Sequence, residues 1–303
     1  MYDFADAVDR NVQWFAAVSR ELIQADTSTQ LQACICLAIG DELGTHTRDL
    51  AHARLRELLA VLGEKDLGEL WKGKLEHALM VGLIQRAYLG ELSPNFASLI
   101  RRVNEDLGQL PPEQLPLRYQ TAFLFLHRYG YQPYPETPDF DWPDDLYGLL
   151  MAEESELGTL CARLGLSTDF GCREVEVPEG LPFVLHACAL NAWKAYNVEI
   201  AGALTRTLAN LGERDSLGLR STREFILQNQ HPDGSFGFLG KEIYESQMKG
   251  TNFAALKLQV PFALHCLWTL AETKEAPYSL RHQIGSTRLQ DRQVDSPFAV
   301  ISQ

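Results

Sequence analysis

The sequence predicts an all-α protein, an α/α toroid of antiparallel helical hairpins around a central cavity. Three observations predict it. Apolar residues recur at spacings of three and four through most of the chain, the period of an amphipathic helix. Convincing strand-like alternation is confined to Arg173-Glu174-Val175-Glu176-Val177, closed by Pro178. Similar heptapeptides recur at intervals that suit helical hairpins.

Taken in order, the first helix runs over 4–24 through Phe4, Val8, Val12, Phe15, Val18 and Leu22. Asp26-Thr27-Ser28 supplies side-chain oxygens to cap a second helix over 28–43, which Gly44 ends. Further helices are expected at 47–62, 74–90, 94–108, 116–130, 144–165, 217–230 and 255–273, with 182–211 holding two. The stretch 131–143 carries Pro133, Pro135, Pro138 and Pro143 among aromatics, so it reads as a loop and a possible lobe boundary. Residues 1–276 read as one domain, and 277–303, polar and aperiodic, as a loose tail.

Composition narrows the function. With 27 Lys and Arg against 40 Asp and Glu, the chain carries a formal charge of -13, which disfavours phosphate-backbone partners and anionic membrane surfaces. No apolar run reaches the roughly 18 residues of a membrane span. The acidic N-terminus lacks a secretion-signal layout. Cys34, Cys36, Cys161, Cys188 and Cys266 sit in apolar helical runs and read as reduced core thiols of a cytoplasmic protein.

The recurring heptapeptides are the most informative feature. Pro182-Phe-Val-Leu-His-Ala-Cys188 and Pro261-Phe-Ala-Leu-His-Cys-Leu267 match closely, and Pro116-Leu-Arg-Tyr-Gln-Thr-Ala122 keeps the proline. Copies without the proline begin at Gly73 and Ser28. In this register Gln32, His77, Gln120, His186 and His265 are equivalent, separated by 45, 43, 66 and 79 residues. They are expected to line one cavity, with each proline opening its helix.

Residues 220–237 read Arg-Ser-Thr-Arg-Glu-Phe-Ile-Leu-Gln-Asn-Gln-His-Pro-Asp-Gly-Ser-Phe-Gly. The segment resembles the QW repeat of squalene and hopene cyclases, found more loosely across the α/α-toroid terpene cyclase and prenyltransferase superfamily. Arg223, Phe225, Gln230, Asp233-Gly234 and Phe236-Gly237 carry the match, with phenylalanine in place of tryptophan. The resemblance implies the toroid and a cyclase- or isomerase-like role, although pectate lyases of toroid fold carry similar motifs. The superfamily's Asp-x-Asp-Asp acid is absent. The nearest run is Asp139-Phe140-Asp141-Trp142-Pro143-Asp144-Asp145, from which Asp141 is kept as a candidate substrate contact. There is no Asp-Asp-x-x-Asp motif, no phosphate-cradling Gly-x-x-x-x-Gly-Lys loop and no Gly-x-Ser-x-Gly elbow. His186 and Cys188, two apart on a helix, point about 200° apart, so they cannot share an ion. No metal or cofactor is expected, with convergence of two or three inner-helix histidines on one ion left as the open alternative.

Three imidazoles at equivalent positions suggest acid–base catalysis by His77, His186 and His265 on a largely apolar small molecule. Gln32, Gln120, Tyr119, Trp193 and Glu272 would orient it or shape the walls. Trp193 lies seven residues after His186 and Glu272 seven after His265, so both share their histidine's face. An apolar flank predicts a lowered pKa for His186, suiting a base. A carboxylate predicts a raised pKa for His265, suiting an acid. The alternatives are a non-catalytic toroid that binds a peptide or partner protein, and a polysaccharide lyase, which would want paired carboxylates at the cavity.

Overall fold

The computed structural model describes residues 3–68, 74–108, 117–133, 145–237, 252–274 and 279–284. They form α1 (Phe4–Ala17), α2 (Ser19–Gln24), α3 (Thr27–Leu43), α4 (Arg48–Gly63), α5 (Leu75–Leu89), α6 (Pro94–Leu107) and α7 (Leu117–Arg128). After a 3-10 turn at Tyr147–Met151 come α8 (Glu154–Ser167), α9 (Leu181–Lys194), α10 (Val198–Asn210), α11 (Leu217–Gln228), α12 (Asn252–Lys274) and α13 (Leu280–Gln283). Among the described residues there is no strand, only an isolated bridge between Gln230 and Phe236. No helix among them is long and apolar enough to cross a membrane.

Local chemistry explains most boundaries. Asp26 caps α3 by accepting from the Thr29 amide at 3.0 Å, and Ser216 caps α11 through the Leu219 amide. The expected helix over 4–24 is broken at Val18, where a β-branched residue and Ser19, both weak helix formers, stand together. The helix expected from 144 instead starts at Glu154, because Glu153 and Glu156 form a reciprocal capping box there. Arg173–Val177 has no partner strand among the described residues and is irregular. Pro182 does open α9, but Pro261 lies inside α12; Pro116 falls outside the described residues. The tail is not uniformly loose either, since Leu280 and Ile284 are buried.

Six helices follow one another in a closed cycle of neighbours. α3 packs on α5, α5 on α7, α7 on α8, α8 on α10, α10 on α12, and α12 returns to α3. The remaining long helices pack against members of this cycle: α1 and α4 on α3, α6 on α5 and α7, α9 on α10, and α11 on α12. Position in the cycle matches sequence pattern. α3 is buried on every face from Thr29 to Asp41, whereas α6 buries one stripe of Phe96, Leu99, Ile100, Val103 and Leu107. Five of the six cysteines are buried, Cys172 is exposed, and all are free.

The QW-like segment closes onto α1. Asp233 and Gly234 turn the chain, with Gly234 at φ +91, and a Cβ there would lie 2.0 Å from the Arg10 carbonyl oxygen. Gln230 Nε2 donates to the carbonyls of Ala7 at 2.7 Å and Gly234 at 3.1 Å. The buried Asn11 donates to the same Gly234 carbonyl at 3.0 Å. Phe236 is fully buried in the main core. We expect Asn11→Ala to cost about 1 kcal/mol in urea unfolding and to raise amide exchange across 230–236. Unchanged exchange there would show that this contact does not hold the turn.

Candidate functional site

A cavity of about 370 Å³ opens among α5, α7, α8, α10, α12 and α13, within the size range of small-molecule pockets. Small residues make the space. Gly158, Ala162 and Gly165 share one face of α8, and Ala203 stands opposite on α10. Phe170 rests against Gly165, where a Cβ would lie 2.8 Å from its ring.

One wall is built around Trp268. The guanidinium of Arg206 lies 4.7 Å from the centre of its ring and that of Arg281 lies 4.6 Å from it, distances at which a cation is attracted to the π-face. Arg281 also covers the Phe170 ring at 4.4 Å. Each cation has a carboxylate. Arg281 Nε donates to Glu76 at 2.6 Å, and Arg206 Nε stands 3.8 Å from Glu272. Burial pulls the Arg206 pKa down to about 10 although Glu272 raises it, so it stays cationic at neutral pH. Burial raises the Glu76 carboxyl, but the charge and hydrogen bond of Arg281, with His77 and Arg206, together outweigh it and leave a net lowering.

His77 and His265 face this wall from α5 and α12. Burial drives His77 down to about 4, with Lys74, Arg281 and Arg206 adding to the effect and Glu76 opposing it. Burial, then Arg206 and His77 itself, hold His265 well below the usual imidazole range. Both rings are therefore neutral at pH 7. The Nδ1 atom of each is buried without a hydrogen-bond partner among the described residues, an unmet polar group on a residue that lines the cavity.

Of the residues singled out from sequence, His77, His265 and Tyr119 come together at this cavity. Gln120 is the neighbour of Tyr119 on α7 but is not among the lining residues. Gln32 is buried within α3, away from the lining. His186 is elsewhere, because α9 packs outside the cycle. Its Nε2 lies 3.1 Å from Ser216 Oγ at the cap of α11, and burial lowers its pKa while Glu213 raises it. Trp193 donates to Thr205 Oγ1 at 3.1 Å and packs on Phe225. Glu272 does not raise His265. Its Oε1 instead accepts from Trp268 Nε1 at 2.7 Å and from the Leu280 amide at 2.9 Å, so the expected acid role with a raised pKa is overturned. Asp141 lies outside the described residues.

Sequence reasoning missed Glu76, Arg206, Trp268 and Arg281. Their partners are distant in sequence, and Arg281 falls in the expected tail. The one local signal was the small-residue face Gly158, Ala162, Gly165 on α8. Among the described residues, Asp169, Cys172 and His282 are a group with metal-ligand chemistry, and their neighbours Phe170 and Arg281 line the cavity. No protein-family model, curated protein or solved structure matches this chain.

Proposed function

We propose that the chain is an α/α toroid and that its cavity is the active site of a cyclase- or isomerase-like enzyme, working by acid–base chemistry on a largely apolar small molecule. The closed cycle of six helices, with others packed outside it, supports the toroid. The observation that carries the chemistry is the pair of neutral imidazoles with unpartnered Nδ1 atoms at one cavity. At neutral pH both begin as bases, so the reaction starts with abstraction of a substrate proton. The imidazolium so formed is a strong acid in this setting and returns the proton at another atom, consuming none overall. The rings of Trp268, Phe170 and Tyr119 offer apolar surface to the body of the substrate, and the guanidinium groups of Arg206 and Arg281 at the same cavity balance the negative charge that proton abstraction leaves on it. Arg206 and Arg281, held on Trp268, fix that ring in place.

The test is ligand capture by native mass spectrometry of the full chain from fractionated metabolite extracts, followed by incubation with the captured compound. We expect an isomeric product of unchanged mass, with turnover reduced at least about 10²-fold in His77→Ala and His265→Ala but not in His186→Ala. Capture of a compound that is returned unchanged would favour the non-catalytic toroid instead.

A further inference from the structure

We propose that Asp169, Cys172 and His282 bind a divalent transition metal, zinc by the type of its ligands, and that the ion fastens residues 279–284 to the loop after α8. Fastening that segment holds Arg281 across the cavity. The proposal does not depend on the catalytic reading above.

One ligand atom from each residue lies within 4.8 Å of the other two, and the His282 Nε2 to Asp169 Oδ1 distance is 3.0 Å. Tetrahedral zinc with bonds of ordinary length spaces its ligand atoms roughly 3.3–3.8 Å apart. The group therefore reaches that geometry through small side-chain movements.

The backbone sets the ligands up. Asp169, Phe170 and Gly171 follow α8 with φ of +48, +50 and +87, three successive left-handed residues of which two are not glycine. The reversal is secured by Phe170 N to Gly165 O at 2.6 Å and Arg173 N to Thr168 O at 2.8 Å. It places Asp169 and Cys172 side by side, facing His282 from α13.

The donor set is selective. A thiolate and an imidazole suit zinc and its neighbours in the first transition row, whereas calcium and magnesium prefer oxygen alone. Thiolate and carboxylate together neutralise a divalent ion, so the filled site carries no net charge from these groups. Cys172 is exposed, which gives an ion a path in and leaves a fourth position for water.

The consequence falls on Arg281, the residue before His282. Its segment is already held by Arg128, which donates to the carbonyls of Arg281 at 2.5 Å and Ile284 at 2.9 Å. A metal bond through His282 adds an anchor from the opposite side. It fixes the guanidinium over Phe170 and Trp268 and against Glu76.

The experiment is a cobalt titration of the full chain after dialysis against chelator. One equivalent of Co(II) should give the visible bands of a tetrahedral ion and a near-ultraviolet thiolate-to-cobalt band, both displaced by zinc. Alkylating the folded protein, with peptide mapping to confirm modification at Cys172 alone, should abolish the thiolate band without any substitution. His282→Ala should weaken cobalt binding at least about 10²-fold. Zinc should also slow amide exchange at Leu280–Ile284. A missing thiolate band, or one that survives alkylation of Cys172, would overturn the site. Exchange at 280–284 that ignores zinc would overturn the fastening.

Discussion

Glu272→Ala is expected to destabilise the protein by about 3–5 kcal/mol, read from urea unfolding at pH 7. Glu272 is 1% exposed and Arg206 is 7% exposed, so removing the carboxylate leaves a buried guanidinium with its nearest counter-charge gone. The other carboxylate oxygen, Oε1, accepts from Trp268 Nε1 and the Leu280 amide, two donors on buried residues that would be left unpaired. Removing both charges should cost less than removing one, because an ion pair exchanged for apolar side chains is often close to neutral. Arg206→Leu added to Glu272→Leu should therefore recover part of the loss seen in Glu272→Leu alone. Strictly additive losses in that cycle would show that the two groups do not act as a pair.

How much of this was legible beforehand differs by element. The α6 stripe of Phe96, Leu99, Ile100, Val103 and Leu107 announces an outer helix, and Asp26 and Ser216 announce their caps. α3, α5 and α12 are apolar nearly all round, so periodicity reveals a buried helix but not which side faces a cavity. The shared Pro-Phe-x-Leu-His frame shows the limit. In α9 the proline opens a helix that lies outside the cycle, while in α12 it sits in the middle of a helix within it. One heptapeptide thus serves two different positions, and His186 meets Ser216 while His265 meets the cavity. The charged wall was illegible for another reason. Arg206 meets Glu272 and Glu76 meets Arg281 only after the chain has folded, and no local spacing encodes either pair.

The buried imidazoles should make the protein lose stability on mild acidification. An unfolded histidine takes up its proton near pH 6.5, while folded His77 does so only near pH 4. Between those values the unfolded chain binds more protons than the folded one, so stability falls as pH falls. The contribution is fully present above pH 6.5, declines through the window, and has no further to fall below about pH 4. Allowing for the solvent that still reaches the ring, His77 alone accounts for at most about 2 kcal/mol between pH 7.5 and 4.5. His265, also held well below its usual range, lowers stability in the same direction. Carboxylates do not confuse the window. Glu76, Asp9 and Asp26 have pKa values depressed below their ordinary 4.5 and 3.8, so their losses come at lower pH. Urea unfolding at pH 7.5 and 4.5 should then show His77→Gln with a smaller acid loss than the parent by about 2 kcal/mol, and with the greater stability of the two at the lower pH. The gain at pH 4.5 cannot come from a new contact, since it must vanish at pH 7.5. If His77→Gln and His265→Gln both kept the parent's full pH dependence, the two rings would take up protons in the folded protein as readily as in the unfolded chain, and burial would not be what holds them neutral.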